Sequence, residues 1–105
     1  MFVITRRYTR PSEDILWYNE KIDFIVELEE FRSHLNSTYV STGKLLFQET
    51  QAENGLTICY TGMWDSKESF DQYNTDVVLQ KYWTIKDQYN ASVGIIAGPQ
   101  EFFEK

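Results

Sequence analysis

Side chains that hold metals or form disulfides are scarce in this chain of 105 residues, which has one cysteine and one histidine. Cys59 has no partner for a disulfide within the chain, and together with His34 it does not supply the three or four ligands of a protein-only zinc site. The sequence also lacks any GxGxxG, P-loop, CxxC or HExxH pattern. We therefore predict no bound metal, no cofactor and no requirement for an oxidising compartment.

Basic residues are also few: 10 Lys and Arg stand against 16 Asp and Glu, so the net charge is -6. This charge repels a phosphate backbone, which argues against nucleic acid as a partner. No apolar run approaches the roughly 18 residues that span a bilayer. In the N-terminal MFVITRRYTR the arginines follow the apolar residues, the reverse of a secretory signal. We expect a cytoplasmic protein without a membrane partner.

Aromatic residues, by contrast, are abundant, at 16% of the chain with three Trp, seven Tyr and seven Phe. The length predicts a single domain over residues 1–105. A domain of this size removes only about two-thirds of its unfolded surface from water, so its core is modest. The aromatic excess therefore indicates either an interface between subunits or a ligand cavity.

The first half of the chain predicts a strand, a helix and a hairpin. Alternation and β-branched residues indicate a strand over residues 2–9. An apolar stripe with helical spacing predicts a helix over residues 22–41. Two strand-like segments, KLLFQET and LTICYTGMW, flank the turn AENG and are expected to pair antiparallel. The helical stripe consists of Phe24, Leu28, Phe31, Leu35 and Tyr39.

The second half predicts two helical pieces and a last strand. Asp65 is expected to cap the short helix in KESFDQY, with Glu68 three residues later as in a capping box. Asp76 offers a fresh cap for a longer helix that ends at Gly94. The segment IIAGPQEFF then supplies a strand, in which Pro99 indicates an edge or a bulge. The stripe of the longer helix consists of Val78, Tyr82, Ile85, Tyr89 and Val93.

This order of elements predicts an α+β, ferredoxin-like βαββαβ fold, with a four-stranded antiparallel sheet and both helices on one face. Both faces of that sheet are partly apolar. One register places Val3, Leu46, Cys59 and Met63 on the face opposite to Phe2, Phe47, Tyr60 and Trp64. A second copy that covers the open face accounts for this pattern, which predicts a homodimer.

The strand-to-helix segment MWDSKESFDQY, together with the order and length of the elements, resembles the antibiotic-biosynthesis-monooxygenase-like group of the dimeric α+β-barrel superfamily. The resemblance implies a dimer whose two sheets form a barrel, with a cavity in each subunit between its own sheet and helices. It also implies activities that range from cofactor-free oxygenation of aromatic polyketides to haem degradation. Family members often have a histidine-containing stretch after this segment, whereas NTDVVLQKYW has none.

Side chains on the helix-facing side of the sheet are the candidates for a binding site. Strand alternation aims Tyr60 and Trp64 the same way, and a buried Arg6 requires a partner. That partner is a ligand carboxylate or enolate, an acid such as Glu49, or solvent. A slip of one residue in the first strand would exchange Arg6 for Arg7. The predicted ligand-binding residues are Arg6, Tyr8, Tyr60, Trp64 and Tyr82.

Candidates for catalysis are limited to His34 and Arg6. His34 is the one group with an ordinary pKa near neutrality, yet it lies at the margin of its helical stripe, where a surface position is the alternative. Trp64 and Tyr82 have core packing as their alternative. Cys59, on the strand face opposite to Tyr60, is expected to be a small buried hydrophobe.

These observations support two hypotheses of different class. The first is a homodimeric protein that binds a small apolar or aromatic molecule, bearing a carboxylate or carbonyl near Arg6, with cofactor-independent oxygenation as an open extension. The second is a non-catalytic structural or interaction protein whose aromatic residues form only the core and the dimer interface. Haem degradation is a third option, which predicts a Soret band on titration with haemin.

Overall fold

One antiparallel sheet forms a layer of the structure, a computed structural model that describes residues 1–105. The sheet order is β2-β3-β1-β4, and β5 pairs with the same edge of β1 as β4 does. The predicted last strand is thus split in two around Gly98 and Pro99. The Gly98 N–H donates to the Arg7 carbonyl oxygen at 2.8 Å. The strands are β1 (Phe2–Thr9), β2 (Leu45–Ala52), β3 (Thr57–Trp64), β4 (Ile96–Ala97) and β5 (Glu101–Glu104).

The helices form the second layer and confirm the predicted ferredoxin-like α+β arrangement. The predicted helix at 22–41 is helical over nearly that range, but it changes from a 3-10 turn to an α-helix and then to a π-helical turn. No helix is both long and apolar enough to cross a bilayer. The helical segments are the 3-10 turns Tyr18–Glu20 and Ile22–Phe24, α1 (Ile25–Leu35), the π-helical turn Asn36–Val40, α2 (Lys67–Asn74) and α3 (Val77–Val93).

The helix ends follow local side-chain chemistry, with one correction. Asp65 does not cap α2. Its backbone N–H donates to the Lys44 carbonyl at 2.9 Å, so Asp65 still belongs to the end of the sheet and the helix begins one residue later than predicted. Ser66 is the cap instead, and its Oγ accepts from the Ser69 N–H at 3.2 Å. Asp76 caps α3 as predicted, and Gly94 ends it with a φ of 79°.

The strand register decides which side chains face the helices. In β1 it is Arg6 that points to the helical layer and pairs with Tyr60, while Arg7 lies on the opposite face, bonded to Glu53 at 2.7 Å. A bulge between Leu45 and Phe47 brings Phe47 opposite Met63. The prediction that grouped Leu46 with Met63 and placed Phe47 on the other face is therefore wrong, because the bulge inserts one residue and reverses the alternation.

The core lies between the sheet and the helices at the end where β3 leads into α2. Trp64, Tyr39 and Leu79 are its fully buried members. Trp64 packs against Tyr39, Phe70 and Tyr73, with ring centroids 5.7, 5.9 and 4.9 Å away. The indole N–H of Trp64 has no hydrogen-bond partner. The complete core cluster is Phe2, Ile4, Leu35, Tyr39, Leu45, Trp64, Phe70, Leu79 and Tyr82.

The face of the sheet away from the helices carries a continuous apolar row. Its four side chains are cross-strand neighbours on β2, β3, β1 and β5: Phe47, Met63, Val3 and Phe103. We call this set the open-face row. Phe47 and Phe103 at its two ends are each 45% exposed. Cys59 lies on the same face and is half-buried, so it is less enclosed than predicted.

Candidate functional site

A cavity of about 240 Å³ lies between β1 and the helices α2 and α3. We call it the main cavity because it is more enclosed than two larger grooves of about 310 and 340 Å³ on the surface. Strand alternation supplies its floor, because every second residue of β1 faces the helices. α2 and α3 supply its roof, and Gln100 closes it from the segment before β5. Its lining residues are Ile4, Arg6, Tyr8, Tyr60, Tyr73, Asn74, Trp83, Lys86, Asp87 and Gln100.

Arg6 brings a cation without an acidic partner into the main cavity. Its Nε donates to the Gly98 carbonyl at 2.8 Å, which holds the side chain in place. The two terminal nitrogens form no hydrogen bond within the chain, and no carboxylate oxygen lies within 4.0 Å. The predicted alternative of an ion pair with Glu49 is therefore wrong. Glu49 lies on β2 opposite Thr61 of β3, so β3 stands between it and Arg6 on β1. The guanidinium keeps two nitrogens, with four N–H donors, for a ligand.

Lys86 adds a second cation beside Tyr8. Its Nζ lies 4.4 Å from the centre of the Tyr8 ring and donates to the Tyr8 hydroxyl at 3.4 Å. The Arg6 guanidinium carbon is 5.6 Å from the same ring centre. Lys86 likewise has no carboxylate within 4.0 Å, and Asp87 is the one acid in the lining. The main cavity therefore favours an anion.

Aromatic side chains form the rest of its wall. Tyr73 meets Trp83 edge to face, with ring centroids 5.2 Å apart. Burial raises the pKa of the Tyr73 hydroxyl to about 12 and holds the pKa of Tyr60 above its usual range. Both hydroxyls are therefore neutral near pH 7. Tyr60 donates its one proton to Gln48 at 3.3 Å, whereas the Tyr73 hydroxyl can donate to a ligand. The wall offers flat apolar surface with a few polar groups, the usual composition of a small-molecule site.

Of the five predicted ligand contacts, the structure brings Arg6, Tyr8 and Tyr60 together in the main cavity. Trp64 lies behind Tyr73 without reaching the lining, so it has the core position that was its alternative interpretation. Tyr82 faces a smaller void of about 60 Å³ between α1 and α3, and its hydroxyl donates to Glu30 at 2.9 Å. Arg6, Tyr8 and Tyr60 remain predicted ligand contacts.

Sequence reasoning missed the contributions of α2 and α3, above all Lys86 and Trp83. The signal was present as a second helical stripe beside the one that was used. This stripe consists of Leu79, Trp83, Lys86 and Asn90. Leu79 and Asn90 at its ends are buried, so the two residues between them face the sheet.

His34 joins a hydrogen-bond cluster outside the main cavity. Its Nε2 lies 2.8 Å from an oxygen of Asp76, which also accepts from the Tyr39 hydroxyl at 2.6 Å. The other Asp76 oxygen caps α3 by accepting from the Val78 N–H at 2.9 Å. The cluster ties the end of α1 to the start of α3, which makes His34 a positioning group for two helices.

Replacing Asp76 by Ala is expected to lower the free energy of unfolding by about 2 kcal/mol, because a helix cap is lost and the Tyr39 hydroxyl loses its charged acceptor. Burial opposes ionisation of Asp76, but hydrogen bonds from Tyr39 and His34 outweigh it and hold the pKa of the carboxyl below its usual range. A depressed pKa stabilises the fold above the unfolded value of about 4. The difference between wild type and variant should therefore shrink as the pH falls below about 4.

Urea unfolding between pH 3 and pH 7 measures this effect. Asp76→Asn is the matched control, since an amide oxygen still caps a helix but carries no charge. It should retain more stability than Asp76→Ala at pH 7. A difference from wild type that stays constant over this pH range would contradict the role given to the ionised carboxylate.

No three His, Cys, Asp or Glu side chains lie close enough together to hold a metal ion.

Comparison with known proteins adds information on the fold. No protein-family model matches the sequence, and no curated protein shows significant sequence similarity to it.

Two solved structures share the fold over the whole chain. One is a presumed antibiotic biosynthesis monooxygenase from Deinococcus radiodurans, with a TM-score of 0.59, 8% identity, and coverage of 100% of this chain and 92% of that one. The other is a dimeric ferredoxin-like protein from an uncultured marine organism, with a TM-score of 0.58, 15% identity, and coverage of 100% and 94%. At these identities the likeness establishes the fold. It confirms the predicted ferredoxin-like α+β fold.

Proposed function

We propose that the protein binds a small aromatic carboxylate in the main cavity. The observation that carries the proposal is the pair of cations, Arg6 and Lys86, that face this space with no acid within 4.0 Å. A planar carboxylate suits the two free nitrogens of Arg6, which can donate two parallel hydrogen bonds. The rings of Tyr73 and Trp83 supply apolar faces against which an aromatic ligand can stack.

The size of the main cavity supports a ligand of one ring. A cavity of about 150 Å³ accommodates benzene in a protein interior, and the volume here is about 240 Å³. The additional space corresponds to a carboxylate and one or two further small substituents. Benzoate is therefore a suitable probe, and benzamide is its neutral counterpart of the same shape.

Arg6→Gln is expected to weaken benzoate binding by at least tenfold, because hydrogen bonds to a charged group contribute roughly 1.5–3 kcal/mol. Isothermal titration calorimetry measures the dissociation constant directly. The matched control is Arg7→Gln, which removes the same charge from the neighbouring position on the opposite sheet face. Arg7→Gln should leave benzoate affinity within about twofold, and Arg6→Gln should hardly change benzamide affinity.

Equal losses for Arg6→Gln and Arg7→Gln would contradict the proposal, because only a general charge effect would then be acting. Absence of benzoate binding to the wild type would also overturn it. Lys86→Met provides a second variant on a different element, and it should reproduce the loss seen for Arg6→Gln.

Turnover would extend the proposal from binding to catalysis. The Deinococcus neighbour is named as a monooxygenase. The family resemblance implies oxygenation without a cofactor, in which the substrate itself supplies the carbanion. That chemistry requires a proton acceptor beside the ligand. Tyr60 and Tyr73 hold their protons near neutral pH, so Asp87 would be the acceptor. The substrate would be an aromatic carboxylate with an activated CH2 group: Asp87 takes one proton, the carbanion adds O2 to give a hydroperoxide, and loss of water leaves a carbonyl. Benzoate has no such CH2 group and is the inert control. Oxygen consumption with such a substrate by wild type but not by Asp87→Asn would support this step.

We further propose that two copies associate through the open-face row. Phe47, Met63, Val3 and Phe103 form a connected apolar band on a face that no helix covers. The dimeric ferredoxin-like neighbour supports a second copy as the occupant. A symmetric dimer would bury the same row from both chains.

A further inference from the structure

We propose that Tyr60 divides the space between sheet and helices and thereby limits the ligand to a single ring. The inference rests on the proposed function, because it assumes that the main cavity receives the ligand. It concerns a different property, namely which ligand sizes are accepted.

A second space lies on the other side of Tyr60. This outer groove has a volume of about 310 Å³ and lies between β2 and α1. Leu28, Phe31 and Leu35 form its helical side, and Gln48 and Thr50 form much of its sheet side. Its walls are partly apolar, so it can accept the far end of a larger aromatic molecule.

The sheet order places Tyr60 between the two spaces. β3 lies between β2 and β1 in the sheet. β2 lines the outer groove, and β1 lines the main cavity. Tyr60 lies on the helix-facing side of β3, with its ring directed along the strand toward Gly62, and it is a lining residue of both spaces. Its ring therefore occupies the boundary between them, and we call it the partition.

Two neighbours hold this ring in position. The Tyr60 hydroxyl donates to Gln48 Oε1 at 3.3 Å. Gly62, two residues along β3, lets the ring lie over the strand, because a Cβ at position 62 would stand 2.9 Å from the Tyr60 hydroxyl oxygen. A larger residue at position 62 would push that oxygen away.

Removing the ring should join the two spaces. The combined volume would be more than double that of the main cavity and would lie within the range of ordinary ligand pockets, about 300–1,000 Å³. A ligand anchored at Arg6 could then extend across β3 toward Phe31. The expected consequence is a shift in size preference, without loss of the anion site.

The test compares benzoate with a three-ring anthracenecarboxylate by calorimetry. Wild type should bind benzoate at least tenfold more tightly than the larger probe. Tyr60→Ala should gain at least tenfold in affinity for anthracenecarboxylate. Tyr60→Phe is the matched control, because it keeps the ring. Loss of the hydroxyl and of its bond to Gln48 should weaken both probes by a similar factor, so the preference for benzoate should remain at least tenfold. Tyr60→Leu serves as a second variant in case Tyr60→Ala does not fold.

An unchanged size preference in folded Tyr60→Ala or Tyr60→Leu, with benzoate still bound, would overturn the inference and leave the proposed function intact. A crystal structure of either variant gives a readout that needs no ligand. A continuous void from Arg6 to Phe31 supports the partition, whereas neighbouring side chains collapsed into the space refute it. If no carboxylate probe binds and the void is continuous, the proposed function fails and the partition stands.

Discussion

The Trp64→Ala variant is expected to lose about 3–5 kcal/mol of stability, the usual cost of deleting a fully buried aromatic side chain. Trp64 packs against three rings from the π-helical turn and α2, so its removal opens a cavity where the helical layer meets the sheet. Domains of this size are stable by only about 5–15 kcal/mol. The midpoint of thermal unfolding should fall by at least about 12 °C, which calorimetry or circular dichroism measures.

Two control variants separate packing from ligand binding. Trp64→Phe keeps an aromatic ring and removes an indole N–H that has no hydrogen-bond partner. Relief of that desolvated donor offsets part of the lost packing, so the variant should lose less than about 1.5 kcal/mol. Trp83→Ala removes the same side chain from the wall of the main cavity, where it is only half-buried. It should weaken benzoate binding and cost less stability than Trp64→Ala. If Trp64→Ala weakened benzoate binding more than Trp83→Ala did, and Trp83→Ala cost more stability, Trp64 would be a ligand contact.

Much of the fold could be predicted because the local signals agree with the final contacts. Residues 2–9 alternate by size and form β1 over that range. Asp76 and Gly94 begin and end α3 because each has the side chain or backbone freedom that its position requires. The cap of α2 could not be predicted to the residue, since a backbone contact between Asp65 and Lys44 delays the helix.

The candidate site could be predicted only in part, because alternation leaves the register of a strand open. In β1 it left Arg6 and Arg7 as alternatives, and the pairing of β1 with β3 without a bulge is what places Arg6 with Tyr60 on the helical side. In β2 the bulge before Phe47 reversed the alternation, and nothing in LLFQ marks it. α3 presents two adjacent stripes, and periodicity alone does not tell which one faces a cavity and which one packs on α1. Lys86 was missed for this reason.

Met63→Asp is expected to weaken the proposed dimer by at least a hundredfold. Met63 lies at the centre of the open-face row, between Phe47 on β2 and Val3 on β1. A carboxylate enclosed there would lose its water without gaining a partner, which costs several kcal/mol, and each 1.4 kcal/mol corresponds to a factor of ten in affinity. Sedimentation velocity should show twice the chain mass of 12.5 kDa for wild type and a single chain for Met63→Asp.

The control for this variant must add the same charge to an exposed apolar residue elsewhere. Val77 is suitable, because it is 77% exposed at the first position of α3 and an acid is favourable at a helix start. Val77→Asp should therefore remain a dimer with unchanged stability. A wild-type protein that sediments as a single chain at micromolar concentration would refute the dimer. Met63→Asp should also leave benzoate binding intact, because the main cavity lies on the opposite side of the sheet and is lined by one chain alone. Loss of both association and binding in Met63→Asp would instead mean that the cavity depends on the partner copy to hold its floor in place.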